Sequence, residues 1–162
     1  MIRPVAIYHE VMKTGLSDVA PFLEELIVRR ELAMNFVYYN ALYDSYEGLL
    51  QWDRMTLAKH QGDERAYLYS REQLESAQAH DKYWNTAQKG LVELGTIHIY
   101  KRMYRGKEIL EWGKTPQEAF TTELYLKNKY QMDGSDPNGF AGVAWSFTDL
   151  GLNERSSAMS GI

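Results

Sequence analysis

The tetrapeptide Thr115-Pro116-Gln117-Glu118 brings three separate signals for a helix start into four residues. A threonine hydroxyl accepts from an unpaired backbone N–H, proline at the first helical position gives up a donor the helix does not use, and glutamate three residues after the cap completes a capping box. A helix from Pro116 to about Gln131 follows. The same grammar recurs along the chain. Pro4 opens a short helix that Gly15 closes. Pro21 opens a longer one in which Phe22, Leu23, Leu26, Ile27, Ala33, Phe36 and Val37 recur at helical spacing, which predicts a central helix. A turn from Asn40 to Ser45 leads into a segment from about Tyr46 to His60 carrying Leu49, Leu50, Trp52 and Leu57, and Gln61 to Arg65 reads as a polar loop. Ser70 with Gln73 forms a second capping box, Asp81 is an N-cap for a helix carrying Trp84, and Gly95 is its C-cap. Seven or so helices result, and no segment alternates as a strand does. With no internal repeat, low-complexity tract or long linker, the expected fold is an all-α, non-repetitive helical bundle. Residues 1–150 form one domain, and 151–162, polar and small from Asn153 to Gly161, form a frayed tail.

Composition narrows the chemistry. The chain has 162 residues, 44% of them apolar and 13% aromatic, enough for one domain with its own core. It has no cysteine, so it has neither disulfides nor thiolate metal sites, and a cytosolic (cytoplasmic) protein is the expectation. No apolar run approaches the roughly 20 residues that cross a bilayer, so no membrane partner is expected. His9, His60, His80 and His98 are scattered without i, i+4 pairing, which argues against a metal. There is no Gly-x-Gly-x-x-Gly, P-loop or nucleophile elbow. A formal charge of -4 disfavours indiscriminate phosphate binding.

Turn-formers, acids and an aromatic crowd together in Asp133-Gly134-Ser135-Asp136-Pro137-Asn138-Gly139-Phe140, with Trp145 following. Taken with Phe22-Leu23-Glu24-Glu25-Leu26-Ile27-Val28-Arg29-Arg30-Glu31-Leu32 and Arg102-Met103-Tyr104, this stretch resembles the FAD-binding helical domain of class II cyclobutane pyrimidine dimer DNA photolyases. The resemblance covers roughly residues 22–150. Tyr43-Asp44-Ser45, Trp84-Asn85, Ile109-Leu110-Glu111-Trp112, Tyr125-Leu126, Lys129-Tyr130 and Trp145-Ser146 fall in the family's order. Such enzymes place this domain after an α/β domain and use light to drive an electron from reduced flavin to the lesion. This chain begins about where the family's phosphate-binding loop and the Leu-His-Phe-Gly after it end, and its match dissolves after Ser146.

The resemblance assigns roles by position. Arg102 and Asp133 match a pair beside the isoalloxazine ring; on spacing alone they are an ordinary helix-to-loop ion pair. Lys127 stands near the flavin's reactive nitrogen, where the family has asparagine, and Ser135 where it usually has arginine. Glu25 matches an acid that hydrogen-bonds the pyrimidine dimer, and Trp145 an aromatic that stacks on flipped-out bases; their plainer readings are a solvated helix face and a buried loop aromatic. Trp84 and Trp112 fall on two positions of a tryptophan relay, whose flavin-proximal member is Arg105 here. An arginine is no redox stepping stone, so these two are relay remnants whose surviving role is core packing. Arg29, Arg30, Lys101, Arg102, Arg105 and Lys107 suggest a phosphate-binding rim.

Two readings emerge. One is a photolyase-related flavin- and DNA-binding domain of a deoxyribodipyrimidine photo-lyase type repair protein, with FAD as a weakened or lost cofactor and no repair by the isolated chain. Its partners are pyrimidine-dimer DNA and the missing N-terminal half, or a second copy through helix faces left open. The other is a non-catalytic helical interaction or scaffold module that has lost FAD. Lys127 and Arg105 favour the second reading; Arg102, Asp133, Glu25 and Trp145 favour the first.

Overall fold

The computed structural model describes residues 3–148. Within them every regular element is helical, in accord with an all-α fold, and the expected frayed tail lies outside them. Helix α1 (Pro4–Lys13) opens on proline and ends just before Gly15, whose φ of 66° is left-handed. The proline-opened rod that follows is continuous but changes pitch. It starts as α2 (Ala20–Leu23), widens into a π-helical segment (Glu24–Arg29) and resumes as α3 (Arg30–Tyr39).

Asn40 then turns the chain. Its side chain accepts from the Leu42 N–H at 3.0 Å and donates to the Gly48 carbonyl at 2.9 Å. The close approach requires glycine at 48, since a Cβ there would lie 2.0 Å from the Leu42 carbonyl oxygen. A 3-10 turn (Tyr46–Gly48) leads into α4 (Gln51–Lys59) and α5 (Arg71–Glu75). Helices α6 (Lys82–Leu94), α7 (Ile99–Trp112), α8 (Pro116–Tyr130) and α9 (Pro137–Ser146) complete the bundle.

The caps sit at the expected residues. Ser70 and Gln73 exchange hydrogen bonds as a capping box, Asp81 accepts from the Tyr83 and Trp84 N–H groups, and Thr115 accepts from that of Glu118 without the return bond that would complete the box expected there. Gly95 ends α6 at φ 68°. The turn-rich stretch around Pro137 also begins a helix, with Asp136 accepting from the Asn138 N–H.

The core lies between α4 and α9. Trp84, Leu91, Ile109, Phe120, Leu126 and Val143 are sealed from solvent, joined by Tyr46, Leu57, Leu74, Trp112 and Phe147. The Phe22-to-Val37 helix, expected at the centre, is instead an outer rod. Ala33 is its buried residue, while Phe22, Val28 and Leu32 are about half exposed. It packs chiefly through α3 against α9, with Tyr43 meeting Phe140 edge to face at 4.7 Å. Leu50 and Trp52 also face outward, at 60% and 45% exposure. An apolar stripe dictates that a helix has a contact face, not how much neighbouring structure covers it.

Candidate functional site

Two assemblies of arginine, glutamate and tryptophan flank α9, one buried and one open. The buried one begins with Gly106 on α7. A Cβ at that position would meet Glu123 Oε1 at 2.5 Å and Ser146 Oγ at 2.6 Å, so glycine is what lets α7, α8 and α9 converge. Into this meeting point the core face of α8 delivers Glu123 and Lys127, and α7 delivers Arg105, exposed by 8%, 6% and 3%. Arg105 donates to Gln88 Oε1 at 2.5 Å and lies 5.6 Å from the Trp84 ring centroid. Lys127 donates from Nζ to the Gly139 carbonyl, and Glu123 Oε1 is 3.3 Å from the Ser146 hydroxyl.

Burial governs the charges here. It pushes the Glu123 carboxyl up to about 7 even though Arg105 and Lys127 pull the other way. It pulls the Arg105 guanidinium down to about 10 and the Lys127 ammonium below its usual value, with Glu123 opposing in both cases. Desolvation outweighs Coulomb attraction for all three groups, the usual outcome when ions leave water. Among the described residues, Arg105 Nε and Glu123 Oε2 have no hydrogen-bond partner.

Arg102 and Asp133 lie at the edge of this cluster and meet at 2.7 Å, with side chains 29% and 38% exposed. Arg102 Nε also donates to the Ile97 carbonyl at 3.3 Å. Asp133, Asp136 and Arg102 all act electrostatically on Lys127, so the expected flavin-facing residues do share a neighbourhood. Of these, Arg102 and Asp133 are half-open, whereas Lys127 is buried and donates to the Gly139 carbonyl. The Arg102–Asp133 edge therefore stays partly open to solvent, and the interior behind it is filled by charged side chains.

Trp84 and Trp112 stand 5.6 Å apart at 63°, exposed by 0% and 2%, and the Arg105 guanidinium lies 5.6 Å from the Trp84 ring centroid. The indole N–H of Trp84 donates to the Arg105 carbonyl at 3.4 Å. Beyond Trp112 comes an aromatic group that sequence reasoning missed. Tyr69 and His80 approach it at 5.5 and 5.2 Å, and Tyr67 stacks on His80 at 3.7 Å. Trp84 and Trp112 pack into the core, as anticipated.

The open assembly joins α9 to the π-helical segment. Trp145 sits in the last turn of α9, 43% exposed, rather than in a buried loop. The Arg29 guanidinium lies 5.4 Å from its ring centroid and forms ion pairs with Glu25 at 3.9 Å and Glu24 at 3.6 Å. Glu25 and Trp145, far apart in the chain, thus meet around one arginine.

The expected basic rim does not form as a unit. Arg105 and Lys107 are buried, Arg30 is paired to Glu31 at 2.6 Å, and Arg102 and Arg29 have acidic partners. A run of charges carries no information about depth when the helix bearing it is enclosed on several sides. Glu123 was also missed, although the signal was present: it stands three residues from both Phe120 and Leu126, on the buried stripe of α8. Among the described residues there is no cluster suited to a metal and no helix long and apolar enough to cross a membrane.

No protein-family model matches the chain, but close relatives do. It is 51% identical over 152 residues to a deoxyribodipyrimidine photo-lyase of Methanothermobacter thermautotrophicus, a match spanning 94% of this chain and 34% of the relative. The deoxyribodipyrimidine photo-lyases of Oryza sativa subsp. japonica and Potorous tridactylus are 50% and 49% identical to it. Each match takes in 85% of this chain, with 28% and 26% of the respective relative. Matched along most of its length to about a third or less of each relative, the chain is related to a part of the deoxyribodipyrimidine photo-lyases.

Proposed function

We propose that this chain is the flavin- and lesion-facing helical domain of a class II deoxyribodipyrimidine photo-lyase type repair protein, and that it does not repair DNA by itself. The observation that carries this reading is the meeting of Glu25 and Trp145 around Arg29 on one open surface. A carboxylate positioned to accept from a pyrimidine edge beside an indole able to stack on an unpaired base is the chemistry that reading a flipped-out dimer requires.

FAD is the cofactor in this reading. It would be held along the Arg102–Asp133 edge, where the guanidinium stabilises negative charge on the ring and the carboxylate fixes the guanidinium. When bound, the flavin supplies the light-driven electron. The protein's own residues do the rest: Arg102 and Asp133 orient the ring, while Glu25 and Trp145 orient the lesion.

The second reading, a helical scaffold that has dropped its cofactor, is favoured by a different observation. Arg105, Glu123 and Lys127 fill the interior behind the Arg102–Asp133 edge with charged groups that act electrostatically on one another, and Arg105 stands where the family has the flavin-proximal tryptophan of the relay.

Titration of the purified full chain with FAD, followed by absorbance and fluorescence, separates the two. Saturable binding that weakens in Asp133→Ala supports the flavin-binding domain. Absence of binding at high-micromolar FAD, with far-UV circular dichroism showing a folded helical protein, overturns it in favour of the scaffold.

A further inference from the structure

The π-helical segment does something specific to its charges. In a regular α-helix, residues three and four apart share a face; i→i+5 bonding turns the backbone more slowly, so residues five apart also approach one face. Within Glu24–Arg29, both Glu24, five residues before Arg29, and Glu25, four before it, reach the one guanidinium. The same side chain lies over the Trp145 ring of a different helix. Single-turn π segments are uncommon and concentrate at functional sites, and this one carries the charged members of the open assembly, Glu24, Glu25 and Arg29.

The contacts holding Arg29 are numerous and loose. At 3.6 and 3.9 Å the two carboxylates are ion partners rather than hydrogen-bond acceptors. The Arg29 side chain is 42% exposed and its partners 57% and 66%, where such pairs contribute little. A guanidinium has five N–H donors in a planar fork that matches phosphate oxygens two at a time, and among the described residues none of them is spent on a close acceptor. Its position over the indole is also one that a stacking base needs. A base and the guanidinium cannot occupy the same ring face together.

We propose that Arg29 is a latch on the nucleic-acid face: in the free protein it covers Trp145 and tethers Glu25, and it exchanges both for a backbone phosphate when a pyrimidine stacks on Trp145. This deepens the DNA-binding reading above and rests on it. The exchange leaves the Trp145 face to the base, frees the Glu25 carboxylate for the base edge, and moves one positive charge from protein partners to the nucleic acid. Arg29 is a positioning residue in the free state and a phosphate contact in the bound one.

The test uses the full chain and a fluorescently labelled oligothymidylate carrying one cyclobutane thymine dimer, with affinity measured across a salt series. Each phosphate neutralised on a single strand contributes about 0.7 to the slope of log affinity against log salt. Arg29→Gln is expected to lower that slope by about 0.7, and Arg29→Lys, which keeps a point charge, to retain it. In the free protein, acrylamide quenching of the Trp145 emission, taken as the difference between each protein and its Trp145→Phe partner, should rise in Arg29→Gln as the indole face is uncovered. Binding by the unsubstituted protein with an unchanged slope in Arg29→Gln overturns the latch alone. No binding of the oligonucleotide by the unsubstituted protein overturns the DNA-binding reading and the latch with it.

Discussion

Arg105 over Trp84 and Arg29 over Trp145 are nearly the same contact, 5.6 and 5.4 Å from guanidinium carbon to ring centroid, each with glutamate nearby. Their surroundings make them opposites. Around Arg105, solvent is excluded, each ion is costly to hold, and the three charged groups are shifted toward their neutral forms. Around Arg29, water remains and the same pieces can rearrange at little cost. The comparison teaches that a guanidinium, an indole and a carboxylate do not define a role. Depth does, by making one assembly a fixed strut and the other an exchangeable surface.

Truncating the two tryptophans should break this parallel most visibly. Trp84→Ala removes a fully buried ring and should cost about 3–5 kcal/mol in denaturant unfolding, whereas Trp145→Ala should stay within about 0.5–1 kcal/mol. Equal losses at the two sites would show that the open assembly is part of the core.

The carboxylates provide a sharper contrast. Because burial raises the folded-state value of Glu123 from 4.5 to about 7, its protonated form is favoured by folding. The stability it confers is complete below about pH 4.5 and is lost as pH rises through about 7. Glu123→Gln should therefore leave stability unchanged at pH 4 and raise it at pH 8, by up to about 3 kcal/mol. Urea midpoints measured across that range will show the profile flattening, or will refute the assignment if the profile is unaltered.

Lys127→Met deletes one of the two cations that oppose the rise at Glu123. The midpoint of the same pH profile should move upward in this variant, and a downward movement would mean that Lys127 does not act on Glu123. The smallest expected effect is that of Arg29→Ala on stability, within about 0.5 kcal/mol by thermal unfolding. A loss several times larger would make Arg29 a strut like Arg105.

Much of the helical framework was legible because its signals are local. Ser70, Asp81, Gly95 and Thr115 act on backbone groups within a few residues, and each caps the helix it was expected to cap. Depth was not legible. The apolar periodicity from Phe22 to Val37 forecast a central helix, but its contact face is served mainly by α9, so it lies at the surface. Arg105 and Lys107 looked like rim charges because nothing in their own sequence announces that α7 is enclosed. At the candidate site, the pairing of Arg102 with Asp133 and the contact of Trp84 with Trp112 could be anticipated from a resemblance. The meeting of Glu25, Arg29 and Trp145 joins the rod to α9, a contact that no residue in Glu24–Arg29 visibly encodes.

That wide turn gives the rod a register of its own. A π segment amounts to one residue more than an α-helix would use for the same turn, so deleting a single residue between Glu25 and Arg29 would restore regular winding. Because that turn would then be made in one residue fewer, everything N-terminal to the deletion would keep its side relative to α3. Glu24 would stand four residues and Glu25 three residues before Arg29, at ordinary helical spacings, while the bundle from α3 onward stayed as it was. The wide turn thus holds one residue of slack that the regular winding of α3 does not.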